Sequence, residues 1–236
     1  MFRRDSPPPP PAESRPPHTD RTRAAYDTVA EDYARLLARD LDRRPLERAL
    51  LGAFAELVQR GGGGLPVADL GCGPGRITGH LHGLGVVGMF GIDLSPEMVA
   101  VARRAHPGLR FEVGAMHDLD LANGSLGGVV AWYSTVHTPP EELLAIFAEF
   151  HRVLAPGGRL IHAFKVGDRR HRLEHGYVHA VDLDVYWFPV DRVIALLTEA
   201  GLTVDAHLVR EPDEDERPAR GRGQQGYVLA HRPEAA

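Results

Sequence analysis

Gly71, Gly73 and Gly75 stand at alternate positions directly behind the apolar run Val67–Leu70, which carries the acidic Asp69. Without a Cβ, glycine takes positive φ at little cost and lets the backbone come within contact distance of a ligand. A strand that passes through such a loop into a helix marks a nucleotide-type cofactor site in an open α/β sheet. An ordinary glycine-rich turn is the plainer reading of the glycines alone. The next apolar run, residues 86–92, ends in Asp93, about twenty residues past the glycines, where the second strand of a βαβ unit presents a carboxylate to ribose hydroxyls. Taken singly, Asp93 is equally a solvated strand end; loop and carboxylate together favour a ribose with a free 2′-hydroxyl. Ser95-Pro96-Glu97 then opens a helix, with serine as N-cap, proline at the first position and glutamate against the positive end of the dipole.

These residues carry a resemblance. Asp69-x-Gly71-x-Gly73-x-Gly75, then Gly91-Ile92-Asp93-Leu94-Ser95-Pro96-Glu97-Met98, then Leu154-Ala155-Pro156-Gly157-Gly158-Arg159-Leu160 closely resemble the class I S-adenosylmethionine-dependent methyltransferases. The similarity covers residues 26–164 in order and at family spacing, and continues more loosely to the C-terminus. Dinucleotide dehydrogenases more often show G-x-G-x-x-G at the first strand of the chain. Here the loop is G-x-G-x-G and lies after some sixty residues.

The resemblance implies S-adenosyl-L-methionine as cofactor and a small-molecule methyl acceptor, with O- or N-methylation of the kind used in secondary metabolism. It implies that Asp69 lies near the methionine portion and Asp93 at the ribose. The segment Tyr26-Asp27-x-x-Ala30-x-x-Tyr33 would close over the cofactor, Tyr26 and Tyr33 reaching its carboxylate end; plain core packing is the alternative for both tyrosines. Gly71, Gly73, Gly75, Arg76, Leu94, Met98, Ala115, Met116, His117 and Ala131 complete the implied cofactor-binding set. The chain departs from the family where Gly114-Ala115-Met116 replaces the frequent Gly-Asp-Ala, so the carboxylate that often holds the adenine amino group is missing. Met116 could pack against the ring, with His117 or Asp118 supplying the polar contact. Leu126-Gly127-Gly128 stands where an aspartate commonly leads into the fourth strand. An NAD-dependent oxidoreductase and a cofactor-binding protein without catalysis are the alternative functions.

A sulfonium is already a strong electrophile, so in-line positioning of the acceptor supplies much of the acceleration. A general base is needed only for a protonated phenol, alcohol or ammonium. His137, in the segment 132–138 beyond the fourth strand, is the candidate: reactive groups gather at the carboxyl ends of strands, and neutral histidine has a suitable pKa. Hydrogen-bonded surface histidine is its plainer reading. The stretch 166–188 is long for a βα connection and holds His171, His175, His179, Asp182 and Asp184 before Tyr186-Trp187-Phe188. His175 and His179, four apart, could meet as metal ligands on a helix face with Asp182. The valines and aromatics among them read instead as strand or capping structure, so no metal is expected. A substrate-facing lid is preferred, suited to a small, partly aromatic or amine-bearing acceptor.

To position these groups the chain needs an α/β, Rossmann-like, doubly wound sheet of seven strands, mostly parallel with the last antiparallel, under an N-terminal helical cap. Strands are expected at 67–70, 86–92, 110–113, 129–132, 159–164, 203–209 and 225–231. Helices are expected at 22–37, 45–58, 75–84, 96–105, 140–154 and 191–200, the last stopped by Gly201. Residues 1–20, with Pro7 to Pro11 and Pro16-Pro17, read as a disordered or polyproline-like tail; 21–236 form the methyltransferase domain, with 21–60 as cap and 166–188 as lid. Residues 61–64 read as a flexible link and 211–223 as a solvated hairpin tip.

Composition bounds the rest. A length of 236 residues suits one large α/β core. A net charge of −5 gives no footprint for nucleic acid or an anionic membrane, and no run approaches a membrane span. Cys72 is the only cysteine, so no internal disulfide can form and a reducing, cytoplasmic setting is expected; within the loop it reads as a small apolar residue rather than a nucleophile. Lys165 is the only lysine in an arginine-rich chain, a bias that suggests a GC-rich genome. The oligomeric state is left open.

Overall fold

The computed structural model describes residues 17–61, 64–212 and 223–234. In chain order these form α1 (Pro17–Leu37), a 3-10 turn (Leu41–Arg43), α2 (Pro45–Gly61), β1 (Val67–Leu70), α3 (Arg76–Gly83), β2 (Met89–Asp93), α4 (Pro96–Ala105), β3 (Arg110–Val113) and β4 (Leu126–Trp132). There follow α5 (Leu143–Val153), β5 (Leu154–Lys165), β6 (Arg169–Gly176), β7 (His179–Trp187), α6 (Val190–Glu199), β8 (Thr203–Arg210) and β9 (Gln225–His231).

Seven strands form one sheet in the order β3-β2-β1-β4-β5-β9-β8. The first five run parallel, and β9 is antiparallel to both β5 and β8. The doubly wound architecture with its antiparallel final strand is therefore the one expected. Alternating side chains serve the two faces, as strand geometry requires. Leu70, Val129, Ala131, Leu160 and Phe164 meet Phe147 and Phe150 of α5 and Leu196 and Leu197 of α6. Val67, Val130, Ile161 and Ala163 meet Phe54 and Val58 of α2 and Leu81 of α3. β4 lies at the centre and is buried at every residue. Parallel pairing brings the carboxyl ends of β1, β2, β4 and β5 to one edge, where ligands bind in such sheets.

α1 begins at Pro17, inside the stretch expected to be tail; residues 1–16, 62–63 and 213–222 lie outside the described residues. The missed turn reads 17-Pro-His-Thr-Asp-20, a proline followed by an early acid, which is a helix start rather than a continuation of the proline run. α1 straddles two parts of the molecule. Asp27 accepts the Ser95 hydroxyl at 2.6 Å over the start of α4, while Asp32 accepts from His179 at 2.8 Å and Arg21 reaches Asp184 at 3.4 Å. Val29 and Ala30 pack on Met98 and Val101.

The segment expected as a lid is a separate two-stranded antiparallel hairpin, β6–β7. His175 sits opposite Ala180 and Gly176 opposite His179, so the two histidines lie on a strand pair, not on one helix face. Its two-residue turn puts Tyr177 at φ 53° and Val178 at φ 67°. Hairpin turns of this twist favour asparagine and glycine there, and a β-branched residue at positive φ is strained. Tyr177 is held by its ring, 4.8 Å from that of Tyr33; Val178 is 86% exposed and has no such support. Val178→Gly should therefore stabilise the closed hairpin by about 1–2 kcal/mol. Hydrogen exchange of the β6–β7 amides should slow by roughly tenfold; unchanged or faster exchange would show the turn to be unstrained.

Candidate functional site

The glycine loop is built by backbone bonds to the neighbouring strand tip. Gly71 and Cys72 both donate to the Ile92 carbonyl, at 2.7 and 3.1 Å. Gly71 has φ 73°, and a Cβ there would overlap the Ser134 side chain, so only glycine fits. Gly73 N–H donates to Asp93 Oδ2 at 2.7 Å and Ser95 N–H to Oδ1 at 2.9 Å. Each oxygen keeps a further lone pair for ligand hydroxyls. Burial raises the Asp93 carboxyl above the usual carboxylate range, against the two backbone donors.

A cavity opens over this loop. Of the expected cofactor residues, Tyr26, Tyr33, Gly71, Gly73, Asp93, Leu94, Ala115, Met116 and His117 line it, as does His137. Asp69, Gly75, Arg76, Met98 and Ala131 do not. Asp69 is buried beneath the loop and takes the Thr78 hydroxyl at 2.7 Å; burial pushes its carboxyl up to about 7. Gly75 caps α3 at φ 80°, and a Cβ there would come within 2.8 Å of the Phe111 ring. Met98 packs against α1, and Ala131 is fully enclosed in the sheet core. Arg76 faces a second cavity instead.

Ser95, Trp132, Tyr133, Ser134 and Thr138 also line the first cavity, with Thr19, Thr22 and Arg23 of α1. Thr19, Thr22 and Arg23 precede Tyr26 at helical spacing; Thr22 and Arg23 fall inside the expected helix, and Thr19 joins them because α1 begins at Pro17. Tyr133 is marked by strain rather than by type: its φ is 56° at the end of β4. Its hydroxyl meets that of Tyr227 at 2.9 Å, which donates to the buried Glu47 at 2.9 Å. Ser134 Oγ and Trp132 Nε1 are buried with no partner among the described residues, and so remain available to a polar ligand.

His137 stands between the two cavities. Its Nδ1–H donates to the Asp184 carbonyl at 2.7 Å, which assigns Nε2 as acceptor of the Tyr26 hydroxyl at 2.8 Å. Burial pushes the imidazole down to about 4; the Asp184 carbonyl opposes this and the Lys165 charge adds to it. Both nitrogens are engaged in hydrogen bonds, and burial makes the ring a weak base. The second cavity shares Tyr26, Tyr33, Tyr133 and His137 with the first and extends to Arg76, Lys165, Tyr177 and Trp187. Among the described residues, no group of three or more His, Cys, Asp or Glu is placed to hold a metal, and no helix is long and apolar enough to cross a membrane.

Fold and loop define a doubly wound domain built for a nucleoside cofactor. Comparison with known proteins narrows this. Residues 67–158 match the methyltransferase domain family. A demethylmenaquinone methyltransferase of Chlorobaculum parvum is 34% identical over 92 residues, covering 39% of this chain and 37% of its own. The O-methyltransferase cnsE of Penicillium expansum is 31% identical over 156 residues, covering 61% of this chain and 55% of its own. The chain thus spans between about a third and a little over half of the length of these curated relatives. The crystal structure of Burkholderia thailandensis 1,6-didemethyltoxoflavin-N1-methyltransferase, with bound 1,6-didemethyltoxoflavin and S-adenosylhomocysteine, superimposes with a TM-score of 0.66 at 21% identity, over 98% of this chain and 93% of that one. Over residues 67–158 the chain is thus similar to the methyltransferase domain family, and over nearly its whole length it shares the fold of a solved methyltransferase. These matches lend no support to the oxidoreductase alternative.

Two measurements test the geometry. Because the folded His137 pKa lies below that of a free histidine, the ring should stay neutral, as the Nδ1–H tautomer, from pH 7 down to about 5 and protonate only near 4. Long-range 15N–1H NMR that showed titration near 6.5 would contradict the buried pair with Tyr26. Asp93→Ala leaves two loop N–H groups without their acceptor, so it should cost about 2 kcal/mol, roughly 4–8 °C in Tm, even without cofactor. An unchanged Tm would show that the two N–H groups do not depend on Asp93.

Proposed function

We propose that the chain transfers a methyl group from S-adenosyl-L-methionine to oxygen or nitrogen of a small molecule, releasing S-adenosylhomocysteine. The observation that carries this reading is that two cavities lie side by side, with Tyr26, Tyr33, Tyr133 and His137 lining both. One cavity holds the glycine loop and Asp93; the other is walled by aromatics and the hairpin.

The donor fits the first cavity on three counts. Gly71 leaves a cradle that a Cβ would fill, Asp93 retains lone pairs for ribose hydroxyls, and Ala115, Met116 and His117, which line the same cavity, support an adenine there. Bound there, it supplies an activated methyl group on sulfur. The protein's part is to hold and exclude water. α1 covers the cavity, while Tyr26 and His137, which line both cavities, fix one another. Tyr26, its hydroxyl raised well above its usual pKa by burial, stays protonated and acts as a hydrogen-bond donor. Catalysis by placement is favoured over general-base catalysis by His137. The rare compartment signal, a single cysteine buried in the loop, suits a cytoplasmic enzyme.

Calorimetry on the full chain should register binding of both S-adenosylmethionine and S-adenosylhomocysteine. Gly71→Ala, whose methyl would overlap Ser134, should bind neither. Indifference of the wild type to both compounds would sink the proposal. Binding without turnover across a broad acceptor panel, read by mass spectrometry, would favour a cofactor-binding protein without catalysis.

A further inference from the structure

The strand tips around the first cavity carry an inference about how the sulfur end of the donor is recognised, one that rests on the methyltransferase reading above. The sheet order β3-β2-β1-β4 sets these tips in a row: Ala115 and Met116 beyond β3, Asp93 on β2, the glycine loop beyond β1 and Tyr133 beyond β4. A donor with its base at Ala115 and Met116 and its ribose at Asp93 sends its 5′ substituent, with the sulfur, across the glycine loop towards β4. Two phenols line the cavity at that end: Tyr133 itself, and Tyr26, which α1 brings to His137.

Each phenol has one proton, and in both cases the surroundings fix where it goes. A carbonyl can only accept, so the Asp184 oxygen takes the Nδ1–H of His137 at 2.7 Å and leaves Nε2 as a lone pair. Tyr26 must therefore donate to Nε2, at 2.8 Å. On the other side burial raises the Glu47 carboxyl, but the Arg210 guanidinium, 3.5 Å away, favours its ionised form. Tyr227 donates to that carboxylate at 2.9 Å, so Tyr133, 2.9 Å from the Tyr227 oxygen, has to donate to Tyr227. Both protons are thus held within the fold. Neither oxygen takes a second hydrogen bond among the described residues, and what each offers a ligand is a lone pair. A phenol so oriented cannot donate to the cofactor carboxylate that the resemblance assigned to Tyr26. It suits a positively charged neighbour.

We infer that Tyr26 and Tyr133 bind the donor through its sulfonium centre, as lone-pair acceptors for the polarised S–CH3 and S–CH2 groups, and so favour the methylated donor over its neutral thioether product. His137 and Tyr227 are the positioning residues that turn the two protons away. The attraction ends when the methyl group leaves with the sulfur neutral, so it contributes donor affinity and product release rather than rate.

The test is calorimetry on the full chain with three ligands: S-adenosylmethionine, S-adenosylhomocysteine, and sinefungin, which bears an ammonium where the donor has its methylsulfonium. Tyr26→Phe and Tyr133→Phe should each weaken the two cationic ligands roughly tenfold and S-adenosylhomocysteine by less than about twofold, the low end of the range for a hydrogen bond to a charged partner. The unpaired Nε2 that Tyr26→Phe leaves on His137 is common to all three complexes and cancels in the comparison. His137→Leu frees the Tyr26 proton and should give the same selective loss; His137→Gln, whose amide oxygen can take the place of Nε2, should recover the preference. A merely structural role would move all three ligands together. Parallel weakening of the three, selective weakening of S-adenosylhomocysteine, or no change in either tyrosine variant would overturn this inference. If the wild type binds neither S-adenosylmethionine nor S-adenosylhomocysteine, it is the methyltransferase reading that fails, and this inference with it.

Discussion

The Asp93 carboxylate is the constraint from which the site is organised. One oxygen holds the N–H of Gly73 in the β1 loop, and the other holds the N–H of Ser95 at the start of α4. A single side chain thereby fixes the distance between two strand tips and aims both at one cavity. Its burial raises the cost of carrying charge there, and the two N–H donors offset part of that cost. Ser95 extends the same unit outward: its hydroxyl caps α4 through Met98 N–H at 3.1 Å and donates to Asp27 of α1. Loop, second strand, helix start and covering helix are consequently one hydrogen-bonded assembly.

The other half of the site depends on the hairpin. β7 is bonded to the exit of β4, with Tyr186 N–H donating to the Val136 carbonyl at 2.8 Å and His137 to that of Asp184. Asp184 is itself gripped by Arg170 at 2.9 Å and approached by Arg21 of α1. α1 therefore ties the glycine-loop side to the hairpin side, and its Tyr26 and Tyr33 line both cavities.

Burial, more than neighbouring charge, sets the behaviour of the histidines around β4. His162 sits inside the core of β5, stacked on Phe164 at 5.1 Å and bonded to the Thr135 hydroxyl at 2.9 Å, and burial pushes it down to about 3. It serves as a neutral core residue that anchors the segment leading to His137. His137 is the same chemistry at the edge of the core, where the ring still reaches the cavity.

The pattern of the chain determined the α/β class, the parallel order of the first five strands, the glycine loop and the Asp93 tip, because each rests on local periodicity, on glycine's backbone freedom or on spacing within one βαβ unit. It also singled out the segment that forms the β6–β7 hairpin and the tyrosines of α1 that line the first cavity. Only the tertiary structure decided which residues reach the cavity. Asp69, Met98 and Ala131 turn into the core because strand alternation and helix packing, not proximity in sequence to the loop, set their direction. The pKa of His137 and the placement of Lys165 beside it join residues 28 positions apart with the hairpin and α1, and such long-range burial leaves no local signature. Local pattern specifies elements and turns; desolvation and the meeting of strand tips arise only when the sheet closes.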